Sequence, residues 1–171
     1  SPRIKTLWMT KKIKFKKIVI IGAGYIGTVL AVVLAENGYK ITAIDTNKKI
    51  IESYNDGLSP IPEPGLNKLI KKNTANGRLK ATTEISEIKN AEIILITVGT
   101  PLNEDGSANK TAIKKVISSI SPFVKDGQLV ILKSTVPPFT SENDVAKPLR
   151  KFAKVDVAFC PERLSEGNAI E

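Results

Sequence analysis

Gly22-Ala23-Gly24-Tyr25-Ile26-Gly27 directly follows the apolar run Lys17–Ile21 and directly precedes an Ala-rich apolar stretch. Three glycines at this spacing, between a strand and a helix, suit recognition of a pyrophosphate. Gly22 can take the backbone angles of a tight turn, Gly24 has no Cβ to block an approaching phosphate, and Gly27 lets the helix pack close to the strand. The helix start then offers unpaired N–H groups and a partial positive charge. An acid follows at the end of the next apolar run, where Asp45 lies 18 residues beyond Gly27. Its carboxylate would accept hydrogen bonds from the adenosine ribose hydroxyls and repel a 2′-phosphate, which favours NAD over NADP. Lys48 and Lys49 weaken that preference slightly. By themselves these residues also admit a flavin or an adenine nucleotide in the same cradle, or a glycine turn without a ligand.

Further chemistry-bearing residues stand after three other apolar runs: Gly99-Thr100-Pro101, Ser134-Thr135-Val136-Pro137 and Cys160-Pro161-Glu162-Arg163. Each brings a hydroxyl, carboxylate or guanidinium next to a rigidifying Pro. Singly, Thr100 and Thr135 suit turns or caps, and Glu162 suits a solvated surface. If their loops share one rim, a carboxylate beside a nicotinamide site could act as general base on water. Cys160 has no His partner, because the chain contains none, and is expected to be a small packed residue rather than a nucleophile.

Positioning these residues requires alternating strands and helices. Strands are predicted at Lys17–Ile21, Lys40–Asp45, Arg78–Thr82, Glu92–Thr97, Gln128–Lys133 and Asp156–Phe159. The runs IVII, IILI and LVIL are continuously apolar, as in strands covered on both faces. Helices are predicted at Ile26–Asn37, closed by Asn37-Gly38, and at Lys48–Asn55, Gly65–Asn73, Lys110–Ser121 and Ser141–Phe152. The pattern predicts an α/β, Rossmann-type doubly wound fold, with a mainly parallel six-stranded sheet and helices on both faces. In such a sheet ligands bind beyond the carboxyl ends of the strands, where strand order reverses. The loops named above belong to that rim.

The formal charge of +9 over 171 residues invites a nucleic-acid reading, but its distribution argues otherwise. Residues 1–17 hold seven Lys or Arg and no acid; the remainder carries 19 bases against 17 acids. No basic stripe with interleaved aromatics runs through the body, so no nucleic-acid partner is expected. Residues 1–16 read as a basic tail and residues 17–171 as one domain. No apolar run is long enough to span a bilayer, and the tail lacks the apolar centre of a signal peptide. A single Cys and the lack of His fit a cytoplasmic protein without a metal or a membrane partner. The only Met is Met9, and a start there would place Ser1–Trp8 upstream. The chain ends after a strand and a polar loop, with at most a short helix from Ala169, as expected of a segment of something longer.

GAGYIG with Asp45, then LSPIPEPGL, VGTPLNEDGSAN, LKSTVPP and CPERLSEG resemble, in order and spacing, the N-terminal half of the nucleotide-sugar 6-dehydrogenases, over nearly all of Lys17–Glu171. That resemblance implies oxidation of the C6 alcohol of a UDP-hexose to a carboxylate with two NAD. It assigns NAD contacts to Gly22, Gly24, Tyr25, Ile26, Gly27, Asp45, Thr100, Thr135 and Glu166. Glu162 matches the residue that activates water in thioester hydrolysis, with Thr135 helping to place the water. Arg163 and Leu164 match positions that contact the uronate or its sugar. The resemblance further implies a homodimer or larger assembly for the full-length enzyme.

In that mechanism a cysteine thiolate traps the aldehyde between two hydride transfers, which divides a difficult oxidation into easier steps. The trapping Cys, and the Lys and Asn that stabilise oxyanion charge, belong to later segments of the family. The isolated chain is therefore expected not to turn over. Ile50 stands where UDP-glucose enzymes often carry a base. The CPER form is closer to enzymes of UDP-N-acetylmannosamine or a related N-acetylhexosamine, whereas Glu166 is more typical of the UDP-glucose group; the balance falls on the N-acetylhexosamine side. Alternatives are another NAD-dependent hydroxyacid or phosphogluconate-type dehydrogenase, and a non-catalytic NAD-sensing module.

Overall fold

The computed structural model describes residues 17–162. Six strands, β1 (Lys17–Ile21), β2 (Lys40–Ile44), β3 (Leu79–Thr82), β4 (Ile93–Ile96), β5 (Leu129–Leu132) and β6 (Asp156–Phe159), form one sheet in the order β3-β2-β1-β4-β5-β6. Every pairing among them is parallel. The chain winds outward from β1 to β3, then returns to β4 on the other side of β1. The switch point therefore lies between the carboxyl ends of β1 and β4.

The continuously apolar runs arise because successive side chains enter different cores. Ile18 and Ile20 pack beneath α1 (Tyr25–Glu36), α2 (Lys48–Asn55) and α3 (Leu66–Ala75). Val19 and Ile21 join the opposite core beneath α4 (Thr111–Ile120) and α5 (Lys147–Leu149). The alternation repeats in β4, where Ile94 and Ile96 face one core and Leu95 the other. Burying each such side chain contributes roughly 1.5–3 kcal/mol. Helix α1 buries Gly27, Thr28, Val29, Ala31, Val32 and Ala35, small and branched residues that admit it close to the sheet. It ends where Asn37-Gly38 was expected to stop it: the Gly38 and Tyr39 N–H groups donate to the Ala35 and Leu34 carbonyls, closing the last turn.

Two elements differ from the sequence expectation. The helix expected over 141–152 is a π-helical stretch at Ser141–Ala146 followed by the short α5. Pro148 has no N–H, and its ring would collide with the Asp144 carbonyl in a regular α-helix; the wider turn relieves that conflict. A short 3-10 helix, Ile85–Asn90, was not expected. It is tied to β5 by buried Gln128, whose amide donates to the Ile88 and Ala91 carbonyls at 2.8 Å each and accepts from the Lys125 N–H. Among the described residues no helix is long and apolar enough to cross a membrane.

Candidate functional site: the carboxyl rim of the sheet

At the switch point Gly22 has φ +96° and donates its N–H to the Ile44 carbonyl. A Cβ on Gly22 would lie 3.2 Å from the Thr97 backbone, and one on Gly27 would lie 1.8 Å from the Gly22 carbonyl oxygen. The first value is tight and the second impossible, so Gly27 sets how closely α1 approaches the turn. A Cβ on Gly24 would meet nothing within 4 Å. Gly24 is thus the turn residue whose outer side is open to a ligand. Beside it α1 begins at Tyr25 and Ile26, presenting the positive end of its dipole, and the first turn holds no acid to compete with an anion. The residues fit a dinucleotide pyrophosphate.

The turn is braced from three directions. Thr28 Oγ1 donates to the Ala23 carbonyl at 2.9 Å, and Thr97 Oγ1 lies 2.7 Å from the Gly22 carbonyl and 3.0 Å from that of Ile21. Asp45 supplies the third brace: its Oδ2 accepts from the buried Ala23 N–H and its Oδ1 from the Asn47 N–H, both at 2.8 Å. The acid expected to hold a ribose therefore also joins the end of β2 to the phosphate turn. Each carboxylate oxygen has a second lone pair, so both duties are compatible. Tyr54 of α2 is fully buried behind the turn, near Thr28 and Asp45, and burial pushes its phenol well above the usual range. The Tyr25 hydroxyl donates to the buried Glu63 of the SPIPEP loop, leaving the backbone of Tyr25 as its contribution to a phosphate site.

A cleft of about 590 Å³ extends from this turn. Gly22, Gly24, Asp45 and Thr97 line one part; Thr83, Ile85, Val98, Ala112, Lys115, Val116 and Ser119 line the rest. Its apolar walls and polar rim suit an adenosine. The α4 residues were not foreseen from sequence, because membership of this wall depends on how α4 lies against the sheet. Thr97 had a usable signal, as a hydroxyl closing the apolar run IILI.

Farther along the rim the other loops converge. Thr100 Oγ1 donates to the Thr135 carbonyl at 2.6 Å, and Ser134 Oγ to the Val98 carbonyl at 2.6 Å. The β4 and β5 loops are thus joined twice by hydroxyls, and Thr135 itself is exposed. Glu162 is not a solvated acid: its Oε2 lies 3.1 Å from Lys133 Nζ, with side chains only 19% and 13% exposed. Cys160 is exposed, contrary to the expectation of a packed residue, and its sulfur lies 3.6 Å from the same ammonium. It follows β6, which lies at the edge of the sheet among the described residues. Arg163, Leu164 and Glu166 lie outside the described residues.

Comparison with known proteins agrees with this geometry. The family described as UDP-glucose/GDP-mannose dehydrogenase, NAD binding domain, matches residues 16–171. The chain belongs to this family. Within it, the domain is 41% identical over 157 residues to UDP-glucose 6-dehydrogenase YwqF of Bacillus subtilis, covering 90% of this chain and 36% of the relative. It is 38% identical over 160 residues to UDP-N-acetyl-D-mannosamine dehydrogenase of Methanococcus maripaludis, covering 91% and 36%. The solved ternary complex of GDP-mannose dehydrogenase from Pseudomonas aeruginosa superposes with a TM-score of 0.85 at 31% identity, covering 90% of this chain and 37% of that one. The domain thus spans little more than a third of the length of these relatives. NAD is the cofactor of the domain, and the hydroxyacid-dehydrogenase and sensing-module alternatives are not favoured.

Proposed function

We propose that this domain is the cofactor half of a UDP-sugar 6-dehydrogenase, which oxidises the C6 alcohol of a UDP-hexose or UDP-N-acetylhexosamine to the uronate with two NAD. The observation that carries this reading is the rim itself: one continuous edge bears the glycine turn, Asp45, the Thr100–Thr135 bond and Glu162. Gly22, Gly24, Gly27 and the backbone N–H groups of Tyr25 and Ile26 would hold the pyrophosphate, Asp45 the adenosine ribose, and Thr100, Thr135 and Glu166 the nicotinamide end. Bound there, NAD supplies the hydride acceptor. Glu162 would take a proton from water as that water attacks a thioester carbon and the thiolate leaves, with Thr135 placing the water and Arg163 and Leu164 contacting the sugar.

On this reading the thiol that carries the acyl group is not Cys160, and the 171-residue polypeptide binds NAD without oxidising a sugar nucleotide. Residues 1–16 are a basic N-terminal tail that precedes the domain in the sequence, and the full-length enzyme is a homodimer or larger. Isothermal titration calorimetry with NAD tests the first part. Binding to the wild-type chain, with loss in both Gly24→Val and Asp45→Ala, is the expected result; equal affinity in all three sinks the site. In an enzyme of the family's full length carrying this segment, Glu162→Gln should accumulate a covalent acyl-enzyme detectable by mass spectrometry. Steady turnover at the wild-type rate would remove Glu162 from its role.

A further inference from the structure

Lys133 has no part in the cofactor site, yet its side chain is largely sheltered at the rim. Its backbone N–H donates to the Ile96 carbonyl, and the β5–β6 register places Cys160 beside it, with the Cys160 N–H on the Leu132 carbonyl. Pro161 then restricts the backbone before Glu162. The result is an ammonium 3.1 Å from the Glu162 carboxylate and 3.6 Å from the Cys160 sulfur, with four-fifths or more of both charged side chains out of water.

We propose that Lys133 is a positioning residue for Glu162, holding that carboxylate ionised and oriented at the carboxyl ends of β5 and β6. The proposal rests on the reading of Glu162 as the water-activating group. A pair this sheltered is weakly screened by salt, so the attraction between the ammonium and the carboxylate acts through little intervening water. It also engages one oxygen, Oε2, which limits the orientations open to the other. A strap that merely joined two strands would need neither a cation nor a particular carboxylate oxygen; Lys133 contributes both charge and direction.

Carbon-13 NMR of the Glu162 carboxyl, assigned by its loss in Glu162→Gln, tests the pairing in this chain. In Lys133→Met the Glu162 titration midpoint should rise by about 1 unit or more, and Lys133→Arg should restore it. An unchanged midpoint in a folded Met variant overturns the proposal. Should the Met variant not fold, the wild-type chain suffices: the Lys133 15Nζ resonance should follow the Glu162 titration, and a resonance indifferent to it overturns the pairing. In a full-length enzyme carrying this segment, Lys133→Met should lower kcat about 10- to 100-fold with unchanged affinity for NAD, and Lys133→Arg should recover much of it. An unaltered kcat refutes the positioning role. Glu162→Gln in the same enzyme reads the catalytic assignment separately, so a failure of that assignment is distinguishable from a failure of the Lys133 contact.

Discussion

Gly24 and Gly27 belong to one turn, but the space around them assigns them different tasks. At Gly27 an added Cβ would overlap the Gly22 carbonyl oxygen, so even Ala must push α1 away from the sheet. At Gly24 the same atom would project into open space. Thermal denaturation and NAD titration should therefore separate two variants: Gly27→Ala lowers Tm and weakens binding together, whereas Gly24→Val keeps a near wild-type Tm and loses NAD. Equal melting of the two would contradict the geometry. Asp45→Ala should show a third pattern, because it removes the proposed ribose acceptor and also strands the buried Ala23 N–H. The expected cost is about 1–3 kcal/mol of stability by urea denaturation, alongside lost affinity.

Two elements depend on polar ties that only a folded chain can make. The Ile85–Asn90 turn is held to β5 by Gln128, which is 4% exposed and has all its bonds inside the protein. Replacing it by Leu removes the side-chain donor to the Ala91 carbonyl and the acceptor of the Lys125 N–H, while the Ile88 carbonyl keeps the Ala91 N–H, and a loss of about 1–3 kcal/mol is expected by urea denaturation. Ile85 also lines the nucleotide cleft, so NAD affinity should fall with it. Between α1 and α3, Glu36 accepts from Lys72 at 2.7 Å and from Asn73 at 2.5 Å. The Lys72 bond first, then that of Asn73, holds the Glu36 carboxyl below the usual carboxylate range. A carboxyl depressed on folding adds stability above its unfolded value of about 4.3, and that gain disappears as pH falls through the lower folded value. The Tm of Glu36→Gln should accordingly lie below wild type at pH 7 and converge with it as the pH falls through the lowered folded value.

For the whole molecule, NAD bound at the proposed switch-point site would be coupled to stability, since β1, β2 and the start of α1 form that site only when they are assembled. At a concentration 100 times its Kd, NAD should stabilise the domain by about 2.7 kcal/mol, which for a chain of this size is roughly 5–10 °C in Tm. Differential scanning fluorimetry measures this directly, and Gly24→Val should abolish the shift without lowering the starting Tm. Strand positions, the parallel sheet, the glycine turn and Asp45 were legible in the sequence because they depend on local chemistry and on period: β-branched runs between two covered faces, glycines where a Cβ has no room, an acid at a strand end. The proline that interrupts the 141–149 helix was visible too, but not the π-helical response to it, which depends on how the stretch lies against its neighbours. What only the tertiary structure decided are relations between segments distant in the chain. The Thr100 hydroxyl turned to the Thr135 carbonyl, the bracing of the turn by Asp45 and Thr97, the α4 wall of the cleft and the Lys133–Glu162 pair all result from strand register. Sequence patterns record which faces of a strand are covered, whereas contacts between loops exist only once parallel pairing has set their carboxyl ends side by side.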